Sequence, residues 1–480
     1  MKRNIVLIIL DAIRKDYFDD YAPRIQKLAD VSFDQCRAAS SCSVPSHGAL
    51  LTGQLPHENG VTYTSVRYNN IELEDTFLDL LPEYRKFGVS ANPWASSEFG
   101  FGDYFDEFIN VSQNRRFHEG MDISHFVYDE CNERGARLYI EFLKAALQRK
   151  NTPQTLANGA FAVLSRSLSK FPVPKPVDDG ASIVCREIKK RSTDTEKPFF
   201  CFTNFMDAHS PMHHVIGYDR SLHDVPVSWS SLSVDNQDKI KFNIECTNGD
   251  HDDFISNYRQ LYATSIDYLD RKVATLISDI ESQTTRETTF IITSDHGENL
   301  GYESENYFFG HKSSLSEGLL HVPLYIINPP PGLYNETESR YFSQLRMGNL
   351  IESLATEEQE DVFGESVPAE LINGYMDELE PFVPDEMVEY YSRAQRCVIS
   401  DESKYQWDSL GGSAKYRLEK EQPNWQTEVS TDISIPAWAK KHFSISLEQY
   451  CKTIDKETSY ADQDGIDNNT KNRLEDLGYL

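Results

Sequence analysis

The chain has 480 residues, enough to bury a large core, so we expect a main domain with a smaller appendage. Its formal net charge is −29, which argues against a nucleic-acid partner. The eight cysteines form no CxxC pair and no zinc-like cluster, so we expect mostly buried thiols in a reducing compartment.

The first predicted strand, Asn4–Leu10, is short, β-branched and almost wholly apolar, and Asp11 follows it. This composition is typical of a strand buried on both faces of a parallel sheet. Its apolar part is far too short to span a bilayer and only four residues precede it, so we predict a cytoplasmic protein.

A helix is predicted directly after the turn Ser43–His47. The Ser43 hydroxyl then lies at the mouth of this helix, where free N–H groups and the helix dipole favour a tetrahedral anion. Taken alone, Ser43 could be a helix cap, and so could Asp11. Further along, the short run Val89–Ala91 predicts a second buried strand that leads to Asn92, a candidate substrate-binding residue.

Residues 134–175 depart from the acidic trend, because they hold eight basic residues against one acid, a local net charge of +7. Apolar residues recur at helical spacing in both halves of this segment. Two basic amphipathic helices could make a peripheral contact with an anionic membrane or gather an anionic substrate. We prefer the alternative interpretation, an inserted helical hairpin that packs on the domain with its basic face in water.

Two later apolar runs also predict buried strands. Phe199–Phe205 leads into a loop that carries His209, and Phe290–Thr293 is followed by Asp295 and His296. The carboxyl ends of parallel strands share one edge of a sheet, so Asp11, Asp295 and His296 should meet there beside the Ser43 oxygen. Two carboxylates, an imidazole and a hydroxyl predict a site for one divalent metal ion, which would lower the pKa of Ser43 and neutralise a sulfate or phosphate.

The last part of the chain has a different character. Residues 353–387 are acidic and contain three prolines, which predicts an exposed connection. Met387–Lys404 and the two aromatic runs after it predict short strands of an antiparallel sheet. The predicted fold is therefore α/β, with a central mostly parallel sheet flanked by helices in residues 1–335 and a smaller C-terminal antiparallel sheet subdomain in residues 336–480.

Taken together and in this order, the motifs resemble those of the sulfatase family of the alkaline phosphatase superfamily. The segments that carry the resemblance are Asp11, Pro23–Ala29, Ser43–Ser46, Leu51–Gly53, Asn204–His209, Ser294–Gly297, Gly310–Lys312, Val322–Leu324 and Arg473–Tyr479. The resemblance implies an alkaline-phosphatase-like fold.

The resemblance also implies roles for residues around the anion. His209 and Lys312 would contact the anion and the leaving-group oxygen, with Lys312 holding charge and His209, near an ordinary pKa of about 6.5, donating a proton. His47 and His311 are further candidate catalytic residues. Asp207, with His209 and His311, raises the alternative of a second metal ion.

The chain departs from the family signature at two positions. Sulfatases carry Cys or Ser, any residue, Pro, any residue and Arg, and a maturing enzyme that reads the Arg oxidises the first residue to formylglycine. Here Ser43 and Pro45 fit that spacing, Cys42 lies one place too early, and His47 stands at the Arg position. Ala12 stands where many sulfatases have a further metal-binding Asp.

We therefore predict a metal-dependent hydrolase of sulfate esters that transfers the oxyanion group to residue 43 and then hydrolyses it. One alternative is a phosphomonoesterase, phosphodiesterase or phospho-headgroup transferase that uses unmodified Ser43. Another is a non-catalytic binder of sulfated or phosphorylated glycans. The expected ligand is a small-molecule or glycan ester, and the expected metal is Ca²⁺, with Mn²⁺, Mg²⁺ or Zn²⁺ as alternatives. An enzyme that matures residue 43 is a further expected partner.

Overall fold

An eight-stranded sheet lies at the centre of the computed structural model, which describes residues 2–112, 115–131, 133–168, 173–233, 243, 252–311, 314–372, 385–419, 422–453 and 474. In chain order, the first ten strands are β1 (Asn4–Leu10), β2 (Val31–Arg37), β3 (Arg85–Ser90), β4 (Glu107–Asn110), β5 (Phe199–Phe205), β6 (Thr288–Thr293), β7 (Asn299–Leu300), β8 (Phe309–Gly310), β9 (Leu324–Ile327) and β10 (Thr337–Ser343). Strands β7 and β8 form a separate two-stranded sheet.

The strand order of the large sheet is β10-β2-β9-β6-β1-β5-β3-β4, and β9 is antiparallel to both of its neighbours while the other pairs are parallel. The predicted mostly parallel sheet is confirmed. Strand β10 extends this sheet beyond residue 335. Every residue of β1 is buried, and alternate side chains enter two different cores: Val6 and Ile8 on one face, Ile5 and Leu7 on the other. This alternation is why the strand reads as continuously apolar.

Helices cover both faces of the large sheet. The longest, Asp252–Gln283, packs on the helices Lys15–Tyr21, Pro23–Leu28 and Ala181–Arg191 and contributes buried side chains to the core that contains Val6. The remaining α-helices are Ser43–Thr52, Pro56–Asn59, Ile123–His125, Ala136–Leu147, Thr152–Leu168, Glu317–Leu320, Met347–Thr356, Asp385–Ser392, Ala437–Lys440 and Leu447–Thr453. Short 3-10 turns lie at Leu73–Asp75, Phe77–Leu80, Ser97–Phe99, Phe101–Tyr104, Arg220–Leu222, Ser231–Ser233, Glu303–Glu305 and Gln344–Arg346, and a π-helical turn lies at Phe126–Glu130. Within the described ranges, no helix combines the length and apolarity that a membrane span requires.

A second, antiparallel sheet follows in the C-terminal part, as predicted. Its strands, in spatial and chain order, are β11 (Ser366–Leu371), β12 (Gln395–Ser400), β13 (Ser403–Asp408), β14 (Ser413–Leu418) and β15 (Gln426–Thr431).

Two details of the C-terminal prediction are wrong. Asp385–Ser392 is a helix, because Val388 and Tyr391 are buried at helical spacing while Glu389 and Tyr390 between them are exposed. The segment predicted as an exposed connection contains the buried strand β11. Pro368 is tolerated in β11 because this strand forms the edge of its sheet, where a missing N–H removes no bond to a further strand.

Strand β11 also braces the turn that leads into Ser43. The Glu370 N–H donates to the Ala39 carbonyl at 3.0 Å, and the Ser40 hydroxyl donates to the Glu370 carbonyl at 2.7 Å. The Glu370 carboxylate accepts from Arg396 Nε at 2.9 Å and lies 2.8 Å from Nδ1 of His57. Glu370 and Arg396 are 0% and 1% exposed, so this network links the small sheet to the segment after β2 within a buried region.

We expect Glu370→Ala to lower the free energy of unfolding by about 3–5 kcal/mol, because it leaves the buried Arg396 guanidinium without its carboxylate. Urea unfolding measures this loss. The matched control is Glu419→Ala, which removes the carboxylate of the solvent-exposed pair with Arg417 and should cost less than about 1 kcal/mol. Equal losses in the two variants would contradict a bracing role for Glu370.

Candidate active site

Polar side chains gather where four adjacent strands of the large sheet end. Asp11 follows β1, Asn92 lies just beyond β3, Asn204 is near the end of β5, and Asp295 lies just beyond β6. All four are 0% exposed. The carboxyl ends of these strands therefore bring four polar side chains together in a region that is buried from solvent.

Two asparagine side chains hold the Asp11 carboxylate. Asn92 Nδ2 donates to Asp11 Oδ2 at 2.6 Å, and Asn204 Nδ2 donates to the same oxygen at 3.1 Å. The side-chain oxygen of Asn92, Oδ1, accepts from the Trp94 N–H at 2.8 Å. The oxygen and the nitrogen of this side-chain amide, which was predicted to bind substrate, therefore both bond within the protein. The other oxygen of Asp11, Oδ1, has no hydrogen-bond partner among the described residues.

The Asp295 carboxylate has the same asymmetry. Its Oδ1 accepts from the backbone N–H groups of Ala12 at 3.3 Å and His296 at 3.0 Å, whereas its Oδ2 has no hydrogen-bond partner in the part of the chain that the structure describes. The His296 Nδ1–H donates to the Gly297 carbonyl at 2.7 Å, which leaves Nε2 with a lone pair. His296 Nε2 lies 3.2 Å from the Ser43 hydroxyl oxygen.

The electrostatics of the two aspartates differ. Burial and the nearby Asp295 raise the pKa of Asp11 well above its ordinary value. Burial by itself would also raise the pKa of Asp295, but the facing His296 and His47 rings bring it below the ordinary value. The cluster thus combines one carboxyl group that resists ionisation with one that favours it, and a cation between them would satisfy both.

Ser43 is the first residue of the helix Ser43–Thr52 and is 3% exposed. Its hydroxyl faces His296, and the N–H groups of the first helical turn have no partner within the helix. This position agrees with the predicted placement of the hydroxyl at a helix mouth. The positive end of the helix dipole favours an anion bound there.

His47 lies one turn further along the same helix and is fully buried. Its Nδ1–H donates to the Ser43 carbonyl at 2.7 Å, and its Nε2 accepts from Asn204 at 3.2 Å. Burial lowers the pKa of His47 below its ordinary value. His47 thereby connects the Ser43 turn with Asn204, a residue that the sequence analysis did not select although it is polar within the apolar strand β5.

Two further imidazoles lie beside this cluster. The His311 ring centre is 4.7 Å from that of His296 and 5.2 Å from that of His209. His311 Nδ1 donates to Glu298 Oε2 at 2.7 Å. The sequence analysis did not select Glu298, although an acid directly after the Asp-His-Gly tripeptide could have indicated it. Lys312 lies outside the described residues.

The expected ordinary pKa of His209 is wrong. Burial, and then the neighbouring His311, lower the pKa of His209 to about 3. Its Nδ1–H donates to the Ser210 carbonyl at 2.6 Å, so the ring is neutral at pH 7 in the free protein. A proton donor at this position therefore requires a bound anion that raises the pKa.

Asp207 does not join the histidines, contrary to the second-metal alternative. Its two carboxylate oxygens accept from the N–H groups of Asp179 at 3.0 Å and Ala181 at 3.2 Å, at the start of the helix Ala181–Arg191. This carboxylate caps a helix and is not directed at His209. Burial raises the pKa of Asp207 well above its ordinary value.

The residues present fit one divalent cation. Among the described residues, Asp11, Asp295 and His296 bring three ligand atoms within 4.8 Å of one another. The two carboxylate oxygens without hydrogen bonds and the His296 lone pair supply negative charge and donor atoms at one buried point. Carboxylate oxygens with one imidazole suit several divalent ions, so this donor set does not select among them.

We expect a divalent ion such as Mn²⁺ or Ca²⁺ to stabilise the protein, because it neutralises the two buried carboxylates. At a concentration about 100-fold above its Kd, the gain in unfolding free energy should be about 2.7 kcal/mol. Thermal unfolding with added metal or with chelator measures this gain. The gain should shrink at acidic pH, because a proton on Asp11, whose pKa is raised, competes with the metal.

The matched pair for this measurement is Asp295→Asn and Asp267→Asn. Asp267 is another largely buried aspartate, 9% exposed, but it pairs with Arg24 and Arg271 away from the site. The metal-dependent gain should vanish in the first variant and persist in the second. A gain that survives Asp295→Asn would place the metal elsewhere.

The family model described as Sulfatase matches residues 3–347. No curated protein matches the sequence of this chain.

Solved structures share the fold at low sequence identity. The phosphonate monoester hydrolase of Agrobacterium radiobacter is 14% identical, with a TM-score of 0.59 over 87% of this chain and 89% of its own. A putative sulfatase from Bacteroides thetaiotaomicron is 15% identical, with a TM-score of 0.54 over 88% and 87%. A protein solved with its substrate D-glucosamine-2-N,6-O-disulfate is also 15% identical, with a TM-score of 0.54 over 87% and 91%.

The Sulfatase model spans well over half of the chain and includes Asp11, Ser43, Asp295 and His296. The eight-stranded sheet and the separate antiparallel sheet match the fold of the sulfatase and phosphonate monoester hydrolase structures. The chain therefore belongs to the sulfatase family and is an ester hydrolase.

Proposed function

We propose that the protein is a metal-dependent sulfuric ester hydrolase in which residue 43 accepts the sulfuryl group and water then releases it. The observation that carries this proposal is the position of the Ser43 oxygen, 3.2 Å from His296 Nε2 and at the start of a helix. Asp11 and Asp295 complete the cluster from two neighbouring strands. The substrate is a small-molecule or glycan ester, in line with the disulfated glucosamine bound by one structural neighbour.

The chain's own residues have separate tasks in this reaction. Asp11, Asp295 and His296 would hold the divalent ion, which supplies charge neutralisation at the anion and lowers the pKa of the residue 43 hydroxyl. The residue 43 oxygen attacks sulfur, the bond between sulfur and the ester oxygen breaks, and the departing alkoxide takes a proton. If residue 43 is serine, water attacks sulfur, the bond between sulfur and the residue 43 oxygen breaks, and that oxygen takes a proton as sulfate is released. If residue 43 is the aldehyde formylglycine, its hydrate supplies the attacking oxygen, and sulfate leaves as the second hydroxyl loses its proton and the aldehyde re-forms.

The proton for the departing alkoxide is proposed to come from His209. The ring is neutral in the free protein, because burial lowers its pKa to about 3. A sulfate or phosphate ester beside it adds negative charge, which raises that pKa and favours the imidazolium form. In this proposal, substrate binding charges the acid that the reaction then uses.

Phosphoryl transfer is a second candidate, and the signature itself favours it. The chain has serine at position 43 and histidine in place of the Arg that the maturing enzyme reads. A histidine lacks the guanidinium group of that Arg, which favours a serine that stays unmodified. An unmodified serine can attack phosphorus and form a phosphoserine that water or another alcohol resolves.

The mass of the peptide that contains Ser43, taken from the native host, separates the two candidates. We expect a loss of about 2 Da if the serine is oxidised to formylglycine, which supports the sulfate ester reaction. An unmodified serine with faster turnover of 4-nitrophenyl phosphate than of 4-nitrophenyl sulfate would overturn the sulfate proposal in favour of phosphoryl transfer.

Replacing Ser43 tests its role as the attacking group. We expect Ser43→Ala to lower kcat/KM by about 10³-fold or more, because the oxygen that forms the covalent intermediate is lost. The control is Ser46→Ala in the same helical turn, where the hydroxyl donates to the Ser40 carbonyl at 3.1 Å and faces no ligand atom of the cluster. Full activity of Ser43→Ala would rule out residue 43 as nucleophile, and lack of turnover by the wild-type chain with tight ester binding would favour the glycan-binding alternative.

A further inference from the structure

The helices Ala136–Leu147 and Thr152–Leu168 form a hairpin beside the main domain. The inner face of the hairpin is anchored: Leu138 and Phe142 pack with Met121 and Phe126 of the preceding segment. The hairpin that the sequence predicted is therefore present. Its solvent-exposed side chains, however, include large apolar residues as well as basic ones.

Large apolar side chains are exposed on both helices of this hairpin. Six of the eighteen exposed large hydrophobic residues in the described chain belong to these two helices. They are Tyr139 (54% exposed), Ile140 (51%), Leu143 (49%), Leu147 (72%), Val163 (46%) and Leu164 (51%). Scattered surface leucines need no explanation, but a concentration of this kind marks an interaction surface.

On the first helix the exposed residues form one stripe. At 3.6 residues per turn, positions 139, 140, 143 and 147 fall within about 100° of arc, while Leu138 and Phe142 lie on the buried side. Arg137 and Lys144 lie beyond the stripe on its solvent side, with side chains 80% and 62% exposed. An apolar stripe bordered by long basic side chains is the pattern of a helix that lies in a membrane interface.

The charge of the segment favours one kind of occupant. Residues 134–175 carry a net charge of +7 in a chain whose net charge is −29. Among the described residues, Arg137, Lys144, Arg149 and Lys150 lie on or just after the helix that carries the stripe, so basic charge borders the exposed apolar residues. Most of the remaining surface would be repelled by an anionic bilayer. We propose that this hairpin docks the protein on the surface of an anionic lipid bilayer, with its apolar stripe in the acyl boundary and its basic residues at the headgroups.

A second copy of the chain fits this face less well. A two-fold dimer pairs each surface with itself, so it would set two segments of charge +7 against each other. A bilayer that contains anionic lipid satisfies both features at once, because acyl chains cover the apolar residues and headgroups neutralise the basic ones. The docking needs no transmembrane helix.

Vesicle flotation of the full chain tests the proposal. We expect binding to phosphatidylcholine vesicles that contain about 30% phosphatidylserine, and little binding to phosphatidylcholine alone. Added salt should weaken the binding, because it screens the basic residues. No binding to the anionic vesicles, or equal binding to the neutral ones, would overturn the proposal.

Paired variants locate the contact. Leu143→Ser with Leu147→Ser should lower the bound fraction by about 5-fold or more, and Lys144→Gln with Lys150→Gln should lower it at low salt. The matched control, Leu410→Ser with Val429→Ser, changes exposed residues in the C-terminal sheet (46% and 56% exposed) and should bind as the unchanged chain does. Equal loss in the control would overturn the assignment to the hairpin. A concentration-dependent dimer that the Leu143 and Leu147 changes abolish, without vesicle binding, would assign the face to a second copy instead.

Discussion

The structure of the site depends on two carboxylates, Asp11 and Asp295, that are buried next to each other at the carboxyl ends of strands β1 and β6. Removing an ionised carboxylate from water is costly unless other groups compensate it. Asn92, Asn204 and the Ala12 N–H compensate one oxygen of each, and leave the other oxygen available. The two buried carboxylates and His296 thus form a site whose negative charge a divalent cation would neutralise, and the Ser43 hydroxyl lies beside it.

The elements that carry the site come from distant parts of the chain, and the C-terminal sheet contributes although it supplies none of the proposed metal ligands. Its edge strand bonds to Ala39 and Ser40, the residues that lead into the helix of Ser43. This contact is fixed in the protein interior by hydrogen bonds of Glu370 with Arg396 and His57. The position of the residue 43 oxygen therefore rests on contacts that both sheets provide.

The buried histidines show how burial changes chemical roles. Burial lowers the pKa of both His47 and His209, because charging an imidazole in the interior is unfavourable, and each ring donates its Nδ1–H to a backbone carbonyl. In His47 the other nitrogen supports Asn204, whereas in His209 a role in proton transfer requires charge brought by the ester. A sequence motif alone shows the imidazole but not the environment that sets its proton affinity.

Much of the fold and the centre of the site could be predicted from the sequence, because both depend on local sequence patterns. Doubly buried strands read as apolar runs, and the residues just after β1 and β6 must meet at one sheet edge, which placed Asp11, Asp295 and His296 together. The sequence did not show that Asp207 caps a helix, that Glu298 pairs with His311, or that Asn92 supports Asp11. Those outcomes depend on side-chain directions and on contacts between segments many residues apart, so only the tertiary structure decided them.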